Sequence, residues 1–319
     1  MRHSKAIIGL TVLVLFVAAL GIVPAAAGDR DNEKYQEKFN RTEALPVDGK
    51  VSISDISGDI NVKTWDKAEV QINAVKSSRS SSVDKAKENA AKVTIEVTRS
   101  DKAVQIKVKY PEGHNRGLNV SVDFDLMIPS KASLESSTVS GDVTVEKIGG
   151  ALNAGSVSGN VIVLGAGKGV DAHTVSGDVK VQDVNGDAYV KTVSGNVEAQ
   201  RVAGSVNGET VSGDVTMNGI TAAKSVTAKA LSGDVTYTGA IGKEGHYNFK
   251  SHSGEVTVTI PADAGFEFTA KTFSGDISSD FKVEVQGRIS RKELHGTVNG
   301  GGAILDLEAF SGNIVLKKG

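Results

Sequence analysis

The six residues Thr-Val-Ser-Gly-Asp-Val stand at Thr138–Val143 and return at Thr174 and Thr210, with near copies opening at Ser156 and Thr192. Aligned on the residue before the Val, the copies start at Thr138, Ser156, Thr174, Thr192, Thr210, Ala230, Ser251, Thr272 and Ala309. The steps between them are 18 four times, then 20, 21, 21 and 37. Self-similarity at a short fixed period is the mark of a solenoid, in which one coil buries its apolar side only by stacking on its neighbours. The expected fold class is therefore all-β, a single-chain β-solenoid of 18- to 21-residue coils. The 37-residue step fits two coils, or one coil with an inserted hairpin.

Within a coil the apolar positions are the second, sixth, eighth, eleventh, fifteenth and seventeenth, as in Val139, Val143, Val145, Ile148, Leu152 and Ala154. The two sets of three are offset by nine, so each coil reads as two nine-residue halves facing each other across a narrow core. One half turns at Ser-Gly-Asp and the other at Gly149-Gly150, Asn185-Gly186 or Ala203-Gly204. Small residues such as Ala151, Ala154, Ala172 and Ala188 suit a thin core, because interiors pack to near-crystal density. Gly at the bend takes backbone angles that other residues resist, while Ser and Asp bond local amides. The turn ladder then comprises Ser140, Gly141 and Asp142, followed by Gly159 with Asn160, Gly177 with Asp178, Gly195 with Asn196, and Gly213 with Asp214.

Stacking sets successive turns about 4.8 Å apart, where like charges repel. The fifth position alternates acid and amide through the regular coils, which reads as a polar ladder with its repulsion diluted. Asp214, Asp234 and Glu255 are three successive acids and the weak candidates for a metal site. Calcium-binding β-rolls carry a denser GGxGxD pattern with several oxygen ligands per turn, so no metal and no other cofactor is expected.

Before the array, Arg2 and Lys5 precede an apolar run, Ala6 to Val23, and then Ala25-Ala26-Ala27. That is a signal-peptide pattern over residues 1–27, with an uncleaved anchor as its rival because the run is just long enough to span a bilayer. Either way the bulk of the chain is expected to be exported, in the periplasm, on the cell surface or secreted. With no Cys there is neither a lipoprotein attachment site nor a disulfide framework. Loss of Arg2 and Lys5 makes the formal net charge of −2 more negative still, which argues against a nucleic-acid partner.

Residues 28–46 are polar and read as a flexible lead-in. Residues 47–132 read as an N-terminal strand-rich cap, with one early turn copy at Ser57-Gly58-Asp59 and a short helix over Val83 to Ala91 behind a Ser-rich start. Alternation at Val93–Val97, Val104–Val108 and Val120–Ile128 marks half-buried strands. Residues 133–319 form the repeat array. Both ends of a solenoid expose strand edges; the cap is expected to cover one, and Lys317-Lys318 to deter pairing at the other, leaving a monomer.

The dense, in-register SGDV and SGNV copies, the exported N-terminus, and the strand ending Met127-Ile128-Pro129 ahead of the first coil resemble the bacterial putative-adhesin family, a domain of unknown function. The resemblance covers roughly Val47 to Lys317 and implies a β-solenoid with an adhesin label. It supplies no catalytic residues.

An enzyme would need a convergent set of groups. The six His, at 3, 114, 173, 246, 252 and 295, form no HExxH, and no GxSxG motif occurs. His246 with His252 reads as a locally irregular coil before it reads as a metal or acid–base pair. Arg288, Arg291, Lys292 and Glu293 read as a charged hairpin loop before a polysaccharide-cleaving cluster. Tyr237, Tyr247, Phe249, Phe266 and Phe268 read as core filling in the wider coils before a sugar-stacking platform. The expected function is a non-catalytic envelope scaffold or binding module for an unknown surface protein or polysaccharide. The alternatives are a β-helical carbohydrate-active enzyme and an accessory of envelope-stress signalling, whose membrane contact would come only through an uncleaved anchor.

Overall fold

The computed structural model describes residues 33–111, 118–221, 223–285, 290 and 292–319. The signal-peptide pattern, His114, Arg288 and Arg291 lie outside the described residues. Each 18-residue repeat makes one coil of two strands, as in Val143–Ile148 and Leu152–Ser158. Like positions stack in parallel register: Val143 pairs with Val161, Val161 with Val179, and Val179 with Val197. Two facing sheets result, of 13 and 14 strands among the described residues. The column between them is Val, Ile, Leu and Ala in the regular coils, with Ala154, Ala172 and Ala199 fully buried. Where the coils lengthen, Tyr237, Tyr247, Phe249, Phe266 and Phe268 fill the wider core.

The SGD turn is written so often because the coils touch there. At Gly141, Gly177, Gly195 and Gly213 φ lies between +140° and +148°, which only glycine adopts without strain. A Cβ on Gly195 would also sit 2.0 Å from the carbonyl oxygen of Gly177 in the previous coil. The fifth residue adds a hydrogen bond between coils: Asp142 Oδ1 accepts from Asn160 N at 2.7 Å, Asn160 Oδ1 from Asp178 N at 2.9 Å, and Asp178 Oδ1 from Asn196 N at 2.7 Å. An amide oxygen can accept in place of a carboxylate, so alternation keeps the bonds while halving the charge.

One core position differs from expectation. The second residue of the coil, Val139 and its equivalents, points outward, whereas the first residue is buried. Its hydroxyl donates to the glycine carbonyl of the previous coil, as Thr174 does to Gly159 at 2.8 Å and Thr192 to Gly177 at 2.9 Å. Thr192→Val is expected to cost about 1–2 kcal/mol by leaving that buried carbonyl without its hydroxyl donor, read as a lower urea midpoint.

The N-terminal region runs β1 (Glu33–Ala44), β2 (Lys50–Ser54), β3 (Ile60–Trp65), β4 (Glu69–Ser80), helix α1 (Val83–Ala91), β5 (Thr94–Arg99), β6 (Ala103–Lys109) and β7 (Asn119–Pro129). The flexible lead-in expected over 28–46 does not hold for 33–44, which form a strand paired antiparallel with β4 along its whole length; residues 28–32 lie outside the described residues. Alternation is masked in β1 since it lies at a sheet edge, where both faces are polar or half-buried. The helix stands where the Ser-rich start and good formers place it, with Ser82 Oγ accepting from Lys85 N at 3.2 Å. The boundary at 132/133 does not separate two bodies, since β2 and β3 form a coil stacked on the first array coil.

The coil order in space departs from the order in sequence at both ends. At the N-terminal end β2–β3 lies between β6–β7 outside and the first array coil inside. At the C-terminal end Ala303–Ser311 and Ile314–Lys318 insert between the coil of residues 246–260 and the coil of residues 266–279. The 37-residue step is therefore a coil that reaches the end, turns back through the strand Glu293–Val298, and slips inside. Lys317 and Lys318 are consequently not the guard of an open edge, as expected from sequence; their strand is paired on both sides. At the N-terminal end antiparallel strands close both sheets, β1 and β4 on one and β5 on the other; at the C-terminal end Glu284–Val285 and Glu293–Val298 close one sheet, while the other finishes in the short parallel strand Ile277–Ser279.

Candidate binding face

The outward second position generates a continuous ridge along one corner of the solenoid. Ile56, Val139, Val157, Val175, Val193 and Val211 occupy successive coils, then Leu231, His252, Phe310 and Phe273. The nine apolar members are 43% to 52% exposed, except Phe273 at 72%. Ten rungs at about 4.8 Å make a line of about 43 Å. Strand parity explains the orientation: with the fifteenth and seventeenth residues inward, the next inward residue is the first of the following coil, and the second must face out. That parity was readable in the sequence; the apolar character of Val obscured it.

At the C-terminal end the ridge becomes aromatic. His252 stacks on Phe310 with ring centroids 4.7 Å apart and planes 10° apart, and Phe310 on Phe273 at 4.8 Å and 3°. The sequence order 252, 310, 273 hides this stack, which exists because the last coil inserts between the two before it. The strand carrying His252 keeps parallel register with both neighbouring strands, and the ring takes the same outward position as the valines.

The two flanks of the ridge differ in chemistry. On the turn side a serine and a glycine separate it from the fifth-position column, which holds seven acids and three amides from Asp59 to Asp276 and no cation. On the other side Lys191 meets Glu209 at 3.1 Å, Glu209 meets Lys229 at 3.7 Å, Lys250 meets Glu308 at 2.9 Å, and Lys271 meets Glu293 at 2.9 Å. Nearer the N-terminal end this second flank is uncharged, with Ser54 and Ser137 sharing a hydrogen bond of 3.1 Å. Between ridge and charged column runs a trough of about 630 Å³, floored by Thr192, Thr210 and Ser251.

Other sequence candidates do not gather. Asp214 Oδ1 accepts from Asp234 N and Asp234 Oδ1 from Glu255 N, each at 2.8 Å, so both carboxylates join the rung ladder. Among the described residues no group of three His or acidic side chains converges as a metal site would require. His246 and His252 stand at opposite ends of one strand, six residues or about 20 Å apart along it. Lys292 donates to the Gly275 carbonyl, and Glu293 accepts from His295 at 2.9 Å while its bond to Lys271 holds its carboxyl below the usual range. The buried aromatic set offers no ring to a ligand.

A family model described as Toastrack DUF4097 matches residues 49–317. No curated protein matches the chain. Among solved structures, a "putative cell adhesion protein" from Clostridium sporogenes is similar at 12% identity and a TM-score of 0.21, covering 89% of this chain and 100% of that one. A "putative adhesin" from Bacteroides fragilis matches at 14% identity and a TM-score of 0.41, covering 88% and 96%. Another so described, from Parabacteroides distasonis, matches at 12% identity and a TM-score of 0.34, covering 88% and 96%. No helix among the described residues is long and apolar enough to cross a membrane.

Proposed function

Because the chain belongs to the Toastrack DUF4097 family, we propose that it is an exported, non-catalytic binding module of the cell envelope, an adhesin or scaffold that recognises its partner along the ridge rather than in an enclosed pocket. The observation that carries this reading is the ridge itself. Soluble monomers seldom expose a contiguous apolar patch beyond a few hundred Å² unless it binds something, and here ten consecutive rungs present one. The competing carbohydrate-active reading would need two free acids facing each other across a groove. In the trough Glu209 lies between Lys191 and Lys229, and Glu308 lies beside Lys250, an arrangement suited to a static face more than to proton transfer.

The test is binding of the purified chain to isolated envelope fractions. Val193→Lys with Val211→Lys is expected to weaken binding at least tenfold, about 1.4 kcal/mol. Thr216→Lys, outward on the opposite sheet, should leave it unchanged. Equal binding by all three proteins would remove the ridge as the recognition face. Protease shaving of intact and of osmotically opened cells places the array on the surface or behind the outer barrier.

A further inference from the structure

We infer that the occupant of the ridge and trough is a second copy of this chain, docked side by side with its coils running in the same direction; this rests on the ridge being the binding face. Spacing is the first argument. A partner that engages ten rungs must repeat every 4.8 Å or so, and a second β-stack does. An extended peptide presents same-face side chains every 6.6–6.8 Å or so and loses register within a few residues. Sugars dock on the faces of aromatic rings, but in the stack of His252, Phe310 and Phe273 the middle ring has both faces covered and each end ring has one.

Shape and charge then select the parallel arrangement. Ridge and trough lie side by side on each copy. A two-fold axis along the solenoid brings the ridge of one copy over the trough of the other, and the converse, in one operation. Over the coils from Lys191 onward, the same rotation sets the acidic turn column of each copy against its mate's column of four Lys and two Glu. A two-fold axis across the solenoid would instead set ridge on ridge, trough on trough and acid on acid. The half-exposed ridge side chains and the Lys stems along the trough are the surface each copy would bury, against the roughly 800 Å² per partner of a standard interface. The monomer expected from sequence considered only the ends of the solenoid; the apolar surface lies along its side.

The experiment is sedimentation of the purified chain across a hundredfold concentration range, with thiol cross-linking. The chain has no Cys, so an introduced one reports alone. The expected result is a reversible dimer that Val193→Lys weakens at least a hundredfold without moving the unfolding midpoint measured at concentrations where the parent is monomeric, and that Thr216→Lys leaves intact. Val157→Cys and Leu231→Cys, each tested singly with a short bis-maleimide, should each cross-link to their own mate, because like rungs meet. A chain that stays monomeric throughout, or a dimer joined only between the two different Cys variants when mixed, overturns the proposal. Monomers whose envelope binding still falls on Val193→Lys would keep the ridge as the binding face and remove the second copy as its occupant. Monomers whose binding is indifferent to the ridge would remove both.

Discussion

Gly195→Ala is expected to destabilise the protein by about 3–5 kcal/mol, among the largest effects a single methyl can have. Two costs combine at this residue. Its φ of +148° is strained for any side chain, and the added Cβ would lie 2.0 Å from the Gly177 carbonyl oxygen. The coil cannot retreat. Gly195 N donates to Ser212 O at 2.8 Å, Val197 N to Asp214 O at 2.8 Å, and Asn196 N to Asp178 Oδ1 at 2.7 Å, so a shift large enough to relieve the contact breaks rung bonds on both sides. Gly300 is the control, having φ +79° and open space, with nothing within 4 Å of where a Cβ would stand. Gly300→Ala should cost about 1 kcal/mol, the backbone contribution alone. Urea midpoints at constant m separate the two. Equal losses would mean that coil contact is not what fixes glycine in the turn.

The same contact explains how much of the molecule could be read in advance. A repeat in strict register fixes a stack, and the five inward apolar positions of each coil follow from Val143, Val145, Ile148, Leu152 and Ala154. Chemistry then misled where geometry would not have. Val at the second position looks like core and Thr at the first looks like surface, yet strand parity buries Thr192 and exposes Val193. The buried hydroxyl is satisfied by a partner one coil away, which no local reading of the sequence includes. The interleaved ends were legible only as an anomaly, the 37-residue step, because nothing in Ala303–Lys318 distinguishes a coil added at the end from one inserted before it. The aromatic stack, which carries the most exposed apolar side chain of the binding face, Phe273, depends on that insertion and was hidden with it.

Stability should fall by up to about 4 kcal/mol between pH 4 and pH 7 on account of Asp55, and Asp55→Thr should abolish that part of the slope. Asp55 occupies the first position of the β2–β3 coil, where seven of the nine repeat copies place Thr or Ser and Ala230 and Ala309 stand in the other two; those hydroxyls donate to the neighbouring coil, as Thr138 and Thr174 do. A carboxylate has no proton to donate there. Oδ1 accepts from Ile56 N at 2.7 Å, but Oδ2 is buried without a partner. Burial pushes the pKa up to about 7 against the pull of the Ile56 and Ser57 amides, with the charge of Asp123 adding a little. The folded state therefore binds this proton more tightly than the unfolded chain, whose Asp titrates near 3.9, roughly. The stabilisation is complete below the unfolded value and lost as pH rises through the folded one, opposite to a salt-bridged carboxylate. Threonine restores the donor of the other coils, so Asp55→Thr should be several kcal/mol more stable than the parent at pH 8 and nearly equal to it at pH 4. Urea unfolding at both pH values decides the matter, with Asp123→Asn as a variant expected to move the slope only slightly. Parallel pH profiles for parent and Asp55→Thr would show that the buried carboxyl finds a proton-independent partner.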